Sequence, residues 1–278
     1  MRIAILGAGK MGAWLASALS GSHEVLAYDT DEARLVAVAG APDGARDESP
    51  AGQGAGILAS SRLADLGPFA PDMLVNCVPL GLTEEAFDAA LPFLPASCSL
   101  SDIASVKTGL AGYYAAAGRP FVSSHPMFGP TYADESNLSE QSAVLIEESC
   151  AEGKAFWRAF YEGLGITVYE DGFDGHDRTV AYSLATPFAS TMVFAACMKR
   201  LDAPGTNFKK HLEIARGLLA EDDRLLAEIM FNPYTIRRIE LINSQLSYLT
   251  HIIKDRDHEE MAKFLGKLRD NLGEARFD

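Results

Sequence analysis

Arg2-Ile-Ala-Ile-Leu-Gly7-Ala-Gly9-Lys10-Met11-Gly12-Ala-Trp14-Leu15 opens the chain, and its reading decides the fold. An apolar run leads straight into three glycines, and beyond them Trp14, Leu15, Ala18 and Leu19 recur at helical spacing. The pattern predicts a strand, a tight turn and a helix. Gly7 permits the turn, Gly9 lets the backbone approach a pyrophosphate, and Gly12 lets helix and strand pack closely. A diphosphate would rest on the helix N-terminus, where free N–H groups and the helix dipole favour negative charge. Lys10 and Met11, in the turn itself, join the glycines as candidate dinucleotide contacts.

A glycine triplet alone is a weak signal, but here a second strand follows over 24–28 with Asp29 at its end. An acidic side chain there accepts hydrogen bonds from the adenosine ribose and repels a 2′-phosphate, which favours NAD over NADP. A plain turn residue is the alternative, and Asp31 two places on keeps it open.

Working outward, residues 40–61 carry no periodicity and are expected to form a surface loop, and 63–66 a helical turn. Residues 72–79 form an apolar strand of the buried parallel kind, ending at Val78 and Pro79, near where a nicotinamide ribose lies in such a fold. A helix is expected over 84–91, a strand over 99–103, a helix over 107–117 and a strand over 121–124 that delivers His125. Strands over 143–146 and 166–170 flank a helix over 153–164. The alternation predicts a Rossmann-type doubly wound parallel sheet, which binds ligands beyond the carboxyl ends of its strands. Ser105 and His125 both follow strands at that edge, and Pro126 is expected to end regular structure there, before Gly129 and Pro130 close the turn. A histidine at a strand end, with Ser105 and Lys107 nearby, suits proton transfer. A satisfied loop histidine beside an N-cap serine is the alternative.

After Gly172 strand signals cease. Helices are expected at about 177–200, 208–220, 222–231, 235–254 and 257–272, with Asp174 or Asp177 as the first N-cap. The chain thus divides into an NAD-binding part, 1–172, and an all-α substrate and dimerisation part, 173–278. Residues 181–198 read as a buried core helix rather than a membrane span, and their apolar surplus suits a homodimer interface. The net charge of -14 argues against nucleic-acid or anionic-membrane partners. The 4 cysteines lack metal-ligand spacing, so no metal site is expected, and they fit a reducing compartment. With no signal-peptide pattern at the start, a cytoplasmic location is expected.

The glycine loop, Asp102-Ile-Ala-Ser-Val-Lys107, His125-Pro-Met-Phe-Gly129 and the pair His176-Asp177 together resemble the prephenate/arogenate dehydrogenase family. The run over 208–223 looks like the substrate-domain segment of its bacterial members. The resemblance covers nearly the whole chain, and the paired Asp-x-x-Ser-x-Lys and His-Pro-x-x-Gly motifs are far more specific than the glycine loop. It implies an NAD(P)-binding Rossmann domain joined to a helical dimerisation domain. It also implies oxidative decarboxylation of prephenate to 4-hydroxyphenylpyruvate, a tyrosine precursor. His125 would bond the C4 hydroxyl and take its proton, which suits an imidazole of ordinary pKa near 6.5. Ser105 would orient that hydroxyl, and Lys107 would support the loop or the cofactor side. A cation must meet the side-chain carboxylate, for which Arg216 comes first and Lys209 and Lys210 follow.

Two departures matter. Phe188 follows Pro187 where many members carry a histidine, and little chain follows the last helix, so an appended tyrosine-sensing domain or fused mutase is not expected. The competing readings are an arogenate dehydrogenase, another Rossmann-type hydroxyacid or pyrroline-carboxylate enzyme, and a dinucleotide-sensing regulator without catalysis. Keeping Ser105, Lys107 and His125 together argues against the last.

Overall fold

The computed structural model describes residues 1–40, 56–129, 138–199 and 202–274. The opening run folds as β1 (Arg2–Leu6), the turn, and α1 (Lys10–Ser20), followed by β2 (Glu24–Tyr28) and α2 (Glu32–Ala39). The Asp31 side chain caps α2 by accepting from the Ala33 N–H at 2.9 Å, the usual N-terminal device. Then come β3 (Leu58–Ser60), α3 (Leu66–Phe69), β4 (Met73–Asn76), α4 (Thr83–Ala90), β5 (Ser99–Asp102), α5 (Leu110–Ala117) and β6 (Phe121–Pro126). The sheet closes with β7 (Ser142–Ile146), α6 (Ala151–Gly163) and β8 (Thr167–Asp171).

These strands form one eight-stranded sheet in the order β3-β2-β1-β4-β5-β6-β7-β8. Successive side chains go to opposite faces of the sheet. Ile3, Ile5, Met73 and Val75 pack with Leu15, Leu19, Trp157 and Tyr161 on one face. Ala4, Leu6, Leu74 and Leu100 pack with Phe87 and Tyr114 on the other. Both faces are covered, which is why the central strands read as continuous apolar runs. The register pairs Leu6 with Tyr28 and Asn76, Asn76 with Asp102, and Asp102 with Ser123, so the carboxyl ends of five strands form one edge.

Two local expectations are corrected. β3 pairs with β2 inside the span read as loop; most of that span lies outside the described residues. β6 does not stop before His125, because His125 pairs with Val144 and Pro126 with Ala143 of an antiparallel β7. Pro126 is the last residue of the strand, where a missing N–H is tolerated. Pro130, read as closing that turn, lies outside the described residues.

The helical region begins earlier than expected. α7 (Phe173–Val180) starts from Gly172, and neither Asp174 nor Asp177 caps it. Asp177 lies inside the helix because its carboxylate is engaged elsewhere. A π-helical turn (Ala181–Ala185) joins α7 to α8 (Thr186–Ala196), followed by α9 (Thr206–Leu218), α10 (Asp223–Met230), α11 (Thr235–Asp255) and α12 (His258–Glu274). The continuous stretch Phe173–Ala196 is long and apolar enough to cross a membrane by length and composition, and only 22% of its most apolar window is buried, so it is not the core helix expected. α8 packs against α9 and α11, with Phe194 against Phe208 and His211 of α9, leaving Tyr182 and Val193 exposed. Its first turns carry His176 and Asp177, which are tied into the sheet.

Candidate active site

The glycine turn has the shape of a phosphate cradle. Gly7 takes a φ of +91°, a conformation that favours glycine, and its N–H donates to the Tyr28 carbonyl at 2.8 Å. A Cβ on Gly12 would stand 1.8 Å from the Gly7 carbonyl oxygen, so helix and turn touch there. A Cβ on Gly9 would meet nothing within 4 Å. Among the described residues nothing crowds Gly9, so the open space in front of it is room for a ligand. No side chain caps the start of α1, which leaves its first N–H groups for an anion.

Asp29 lies buried at the end of β2. Its Oδ2 accepts from the Ala8 N–H at 2.7 Å and its Oδ1 from the Asp31 N–H at 2.9 Å. A carboxylate has about four acceptor sites, so lone pairs remain for ribose hydroxyls. Arg34 is held by Asp29 at 3.6 Å and by Asp31 at 3.4 Å. Val78 and Pro79 follow β4 at the same edge, where Asn76 bridges the Val78 N–H and the Thr83 carbonyl. The turn and the end of β2 are shaped to hold a dinucleotide: Gly7, Gly9 and Gly12 with Lys10 and Met11 would meet its phosphates, and Asp29 its ribose.

Beyond β5 the chain turns through Ile103–Gly109 around a buried charge. Asp102 accepts from the Ala104 N–H at 3.0 Å, the Lys107 ammonium at 2.5 Å and the Tyr114 hydroxyl at 2.6 Å. Lys107 also donates to the Ser124 carbonyl at 2.7 Å, with no exposure of its side chain. Burial pushes the Lys107 pKa down, opposed by Asp102, and pushes the Tyr114 hydroxyl up, reinforced by Asp102. Of the two roles expected for Lys107, holding the loop is the one these contacts serve.

His125 is 4% exposed, and its Nδ1 lies 2.9 Å from Nε2 of His176. The other nitrogen of His176, Nδ1, lies 3.0 Å from Oδ1 of Asp177. Asp177 in turn accepts from the Lys107 N–H at 2.7 Å and the Thr108 hydroxyl at 2.8 Å, and its carbonyl accepts from the Asn232 side chain at 2.8 Å. Burial holds the His125 pKa well below its ordinary value, helped by His176 and Lys107. His176 is lowered by burial too, against the pull of Asp177. Both shifts favour the neutral form of each imidazole at pH 7.

A family model described as "Prephenate dehydrogenase, nucleotide-binding domain" matches residues 57–162. Residues 57–162 are thus similar to the nucleotide-binding domain of prephenate dehydrogenases. It is 28% identical over 183 residues to the T-protein of Enterobacter agglomerans, covering 63% of this chain and 47% of that one. The chain spans about half the length of the curated relatives it matches. In fold it is similar to prephenate dehydrogenase from A. aeolicus, solved in complex with hydroxyphenyl propionate and NAD+, with a TM-score of 0.78 at 18% identity over 99% of this chain and 98% of that one. Synechocystis arogenate dehydrogenase gives a TM-score of 0.71 at 20% identity over 98% and 99%.

Of the residues named by the prephenate/arogenate dehydrogenase motifs, Asp102, Lys107, His125, His176 and Asp177 form one hydrogen-bonded cluster. Ser105 is half-buried in the loop between Asp102 and Lys107, both of which are tied to β6 or α7 beside His125. Arg216, Lys209 and Lys210 are exposed on α9. The segment just beyond α9 reaches the site, because a Cβ on Gly129 would stand 3.4 Å from Glu221 Oε1. Phe188, where many family members carry a histidine, packs in an apolar cluster with Val106, Val180, Ala185 and Ile229. The sequence reading gave His176 and Asp177 no role beyond a motif and a helix cap. The signal available was two ionisable side chains in the first turns of an otherwise apolar helix.

Proposed function

We propose that the chain is an NAD-dependent prephenate dehydrogenase. The observation that carries this reading is a buried, neutral imidazole, His125, at the carboxyl edge of a sheet whose first turn is shaped for a diphosphate. A bound nicotinamide dinucleotide supplies a two-electron hydride acceptor. His125 takes the proton of the C4 hydroxyl on Nε2 as the C4 hydride leaves. The bond to the ring carboxylate breaks, carbon dioxide departs, and its electron pair completes the aromatic ring as a phenolate. The proton then returns from His125 to the phenolate oxygen. Ser105 holds the hydroxyl in line, and Arg216, with Lys209 behind it, meets the side-chain carboxylate near the mouth.

NAD is the proposed coenzyme because Asp29 is buried at the ribose position and Arg34 is occupied by two carboxylates. The proposed division is a dinucleotide-binding domain over 1–172 and a helical domain over 173–278. Exposed Val193, Ile214, Leu241, Leu246 and Ile253 on α8, α9 and α11 support a homodimer through the helical domain. We place the enzyme in the cytoplasm, in tyrosine biosynthesis. An arogenate dehydrogenase is the second reading, favoured by the absence of the expected histidine at Phe188. The test is NADH or NADPH formation with prephenate and with arogenate. Turnover of prephenate with NAD is expected; exclusive use of arogenate would transfer the assignment to the second reading, and failure with both would overturn it.

A further inference from the structure

His125 has one nitrogen accounted for by His176 and one left for chemistry. Which of the two carries the hydrogen decides whether His125 can accept a proton at all. We propose that Asp177 and His176 are positioning residues that fix the tautomer of His125, leaving a bare Nε2 as the proton acceptor. This inference rests on the reading of His125 given above.

Three contacts fix the tautomer. Both oxygens of Asp177 act as acceptors, Oδ1 from the Lys107 N–H and Oδ2 from the Thr108 hydroxyl. A carboxylate in that role has no proton to give, so the 3.0 Å contact from His176 Nδ1 makes Nδ1–H the donor. A neutral imidazole carries one N–H, so His176 Nε2 is a lone pair. Across 2.9 Å that lone pair accepts only if His125 Nδ1 carries its hydrogen. The remaining position on His125, Nε2, is then bare. The reverse order would set a lone pair of His176 against a carboxylate oxygen in a dry site, where unmatched polar atoms are costly. His176 and Asp177 are 1% and 4% exposed, so water cannot stand in for either contact.

The same chain serves the charged state. When Nε2 takes the hydroxyl proton, the Nδ1–H of His125 remains bonded to His176, whose own N–H faces the carboxylate. The proton does not travel further, and Asp177 stays an anion. This is the arrangement by which a buried acid orients a catalytic histidine in unrelated hydrolases, here extended by one imidazole. It also explains why Asp177 does not cap its own helix.

The test has an arm that does not need turnover. Nitrogen NMR of the histidine-labelled wild type, with His125→Asn to assign the signals, reads which ring nitrogen of His125 is protonated. A protonated Nδ1 and a bare Nε2 are expected at pH 7.5; the opposite tautomer would overturn the proposal. In the kinetic arm, His176→Leu should lower kcat by roughly 10²-fold or more, within the range a general base supplies, with KM for substrate and NAD within a few-fold. His176→Gln, whose carbonyl can accept from the His125 Nδ1–H, should recover a clear part of that loss. Full activity in His176→Leu, or equal loss in both variants, would defeat it. An inactive wild type would refute the functional reading, while the NMR result would still decide this one.

Discussion

Lys107→Met separates the two roles open to that lysine. The substitution keeps most of the stem and removes the ammonium. Asp102 would retain the Ala104 N–H and the Tyr114 hydroxyl but lose its cation, and the Ser124 carbonyl would lose its donor. The two charged side chains are 0% and 1% exposed, so solvent does not discount the loss. Breaking a buried pair from one side costs about 3–5 kcal/mol. At about 2–4 °C per kcal/mol for a large domain, Tm should fall by about 6–20 °C. Dinucleotide affinity of the fraction that stays folded should change little. Urea unfolding followed by tryptophan fluorescence, paired with an NAD titration below the transition, measures both. A second substitution, Asp102→Asn, should restore part of the lost stability, because it removes the stranded charge. Stability within about 0.5 kcal/mol of wild type, together with a collapse in NAD affinity, would show that the ammonium serves the coenzyme and that the inward contacts carry no weight.

Three further outcomes follow from the site. Gly9→Ala meets no neighbour and sits at a helix cap, so stability should change by no more than about 1 kcal/mol while NAD affinity drops, whereas Gly12→Ala should lose about 1–3 kcal/mol of stability as well; melting and titration of both variants compare them. Asp29→Ala should narrow the preference for NAD over NADP, read as the ratio of kcat/KM values, and an unchanged ratio would remove Asp29 from coenzyme choice. Stability should fall as pH drops below about 6.5, because the unfolded chain then binds protons that the buried, pKa-depressed His125 and His176 refuse; the slope is up to about 1.4 kcal/mol per pH unit for each group. His125→Asn should reduce that slope in urea unfolding across pH 5 to 7.

The sheet was legible because its strands are buried on both faces. Ile3 to Leu6 and Met73 to Asn76 carry no alternation that competes with a strand reading, and glycine at 7, 9 and 12 has a mechanical reason at each place. β3 was not legible: its three residues are exposed or half-exposed, so no apolar run marks them, and they pair with the edge of β2. Proline after His125 read as a stop because local preference is all a sequence offers; the antiparallel partner at Val144 is non-local and overrides it. Ser105 and His125 could be assigned to one edge from the pattern of strand ends. His176 could not be assigned to His125, because 51 positions separate them and a contact of that range leaves no periodic trace. The helix 173–196 misled for a related reason: apolar composition measures what a face can bury, and here only part of that face is covered within the chain.

The π-helical turn at Ala181–Ala185 has a consequence for how this chain can vary in length. A π turn takes up one residue more than an α-helical turn at the same place in the rod, so the turns on either side keep their facing. His176, Asp177 and Val180 are buried before or at its edge, and Ala181, Ala185 and Ala189 follow at a spacing of 4. The turn is thus a slack link in an otherwise stiff rod. Removing a single residue there would close it to ordinary α-helix with both ends still seated, whereas a deletion elsewhere along 173–196 would rotate one end by about 100° and turn His176 from the sheet or α8 from α9 and α11. A one-residue deletion should be tolerated at this link before it is tolerated elsewhere in the rod.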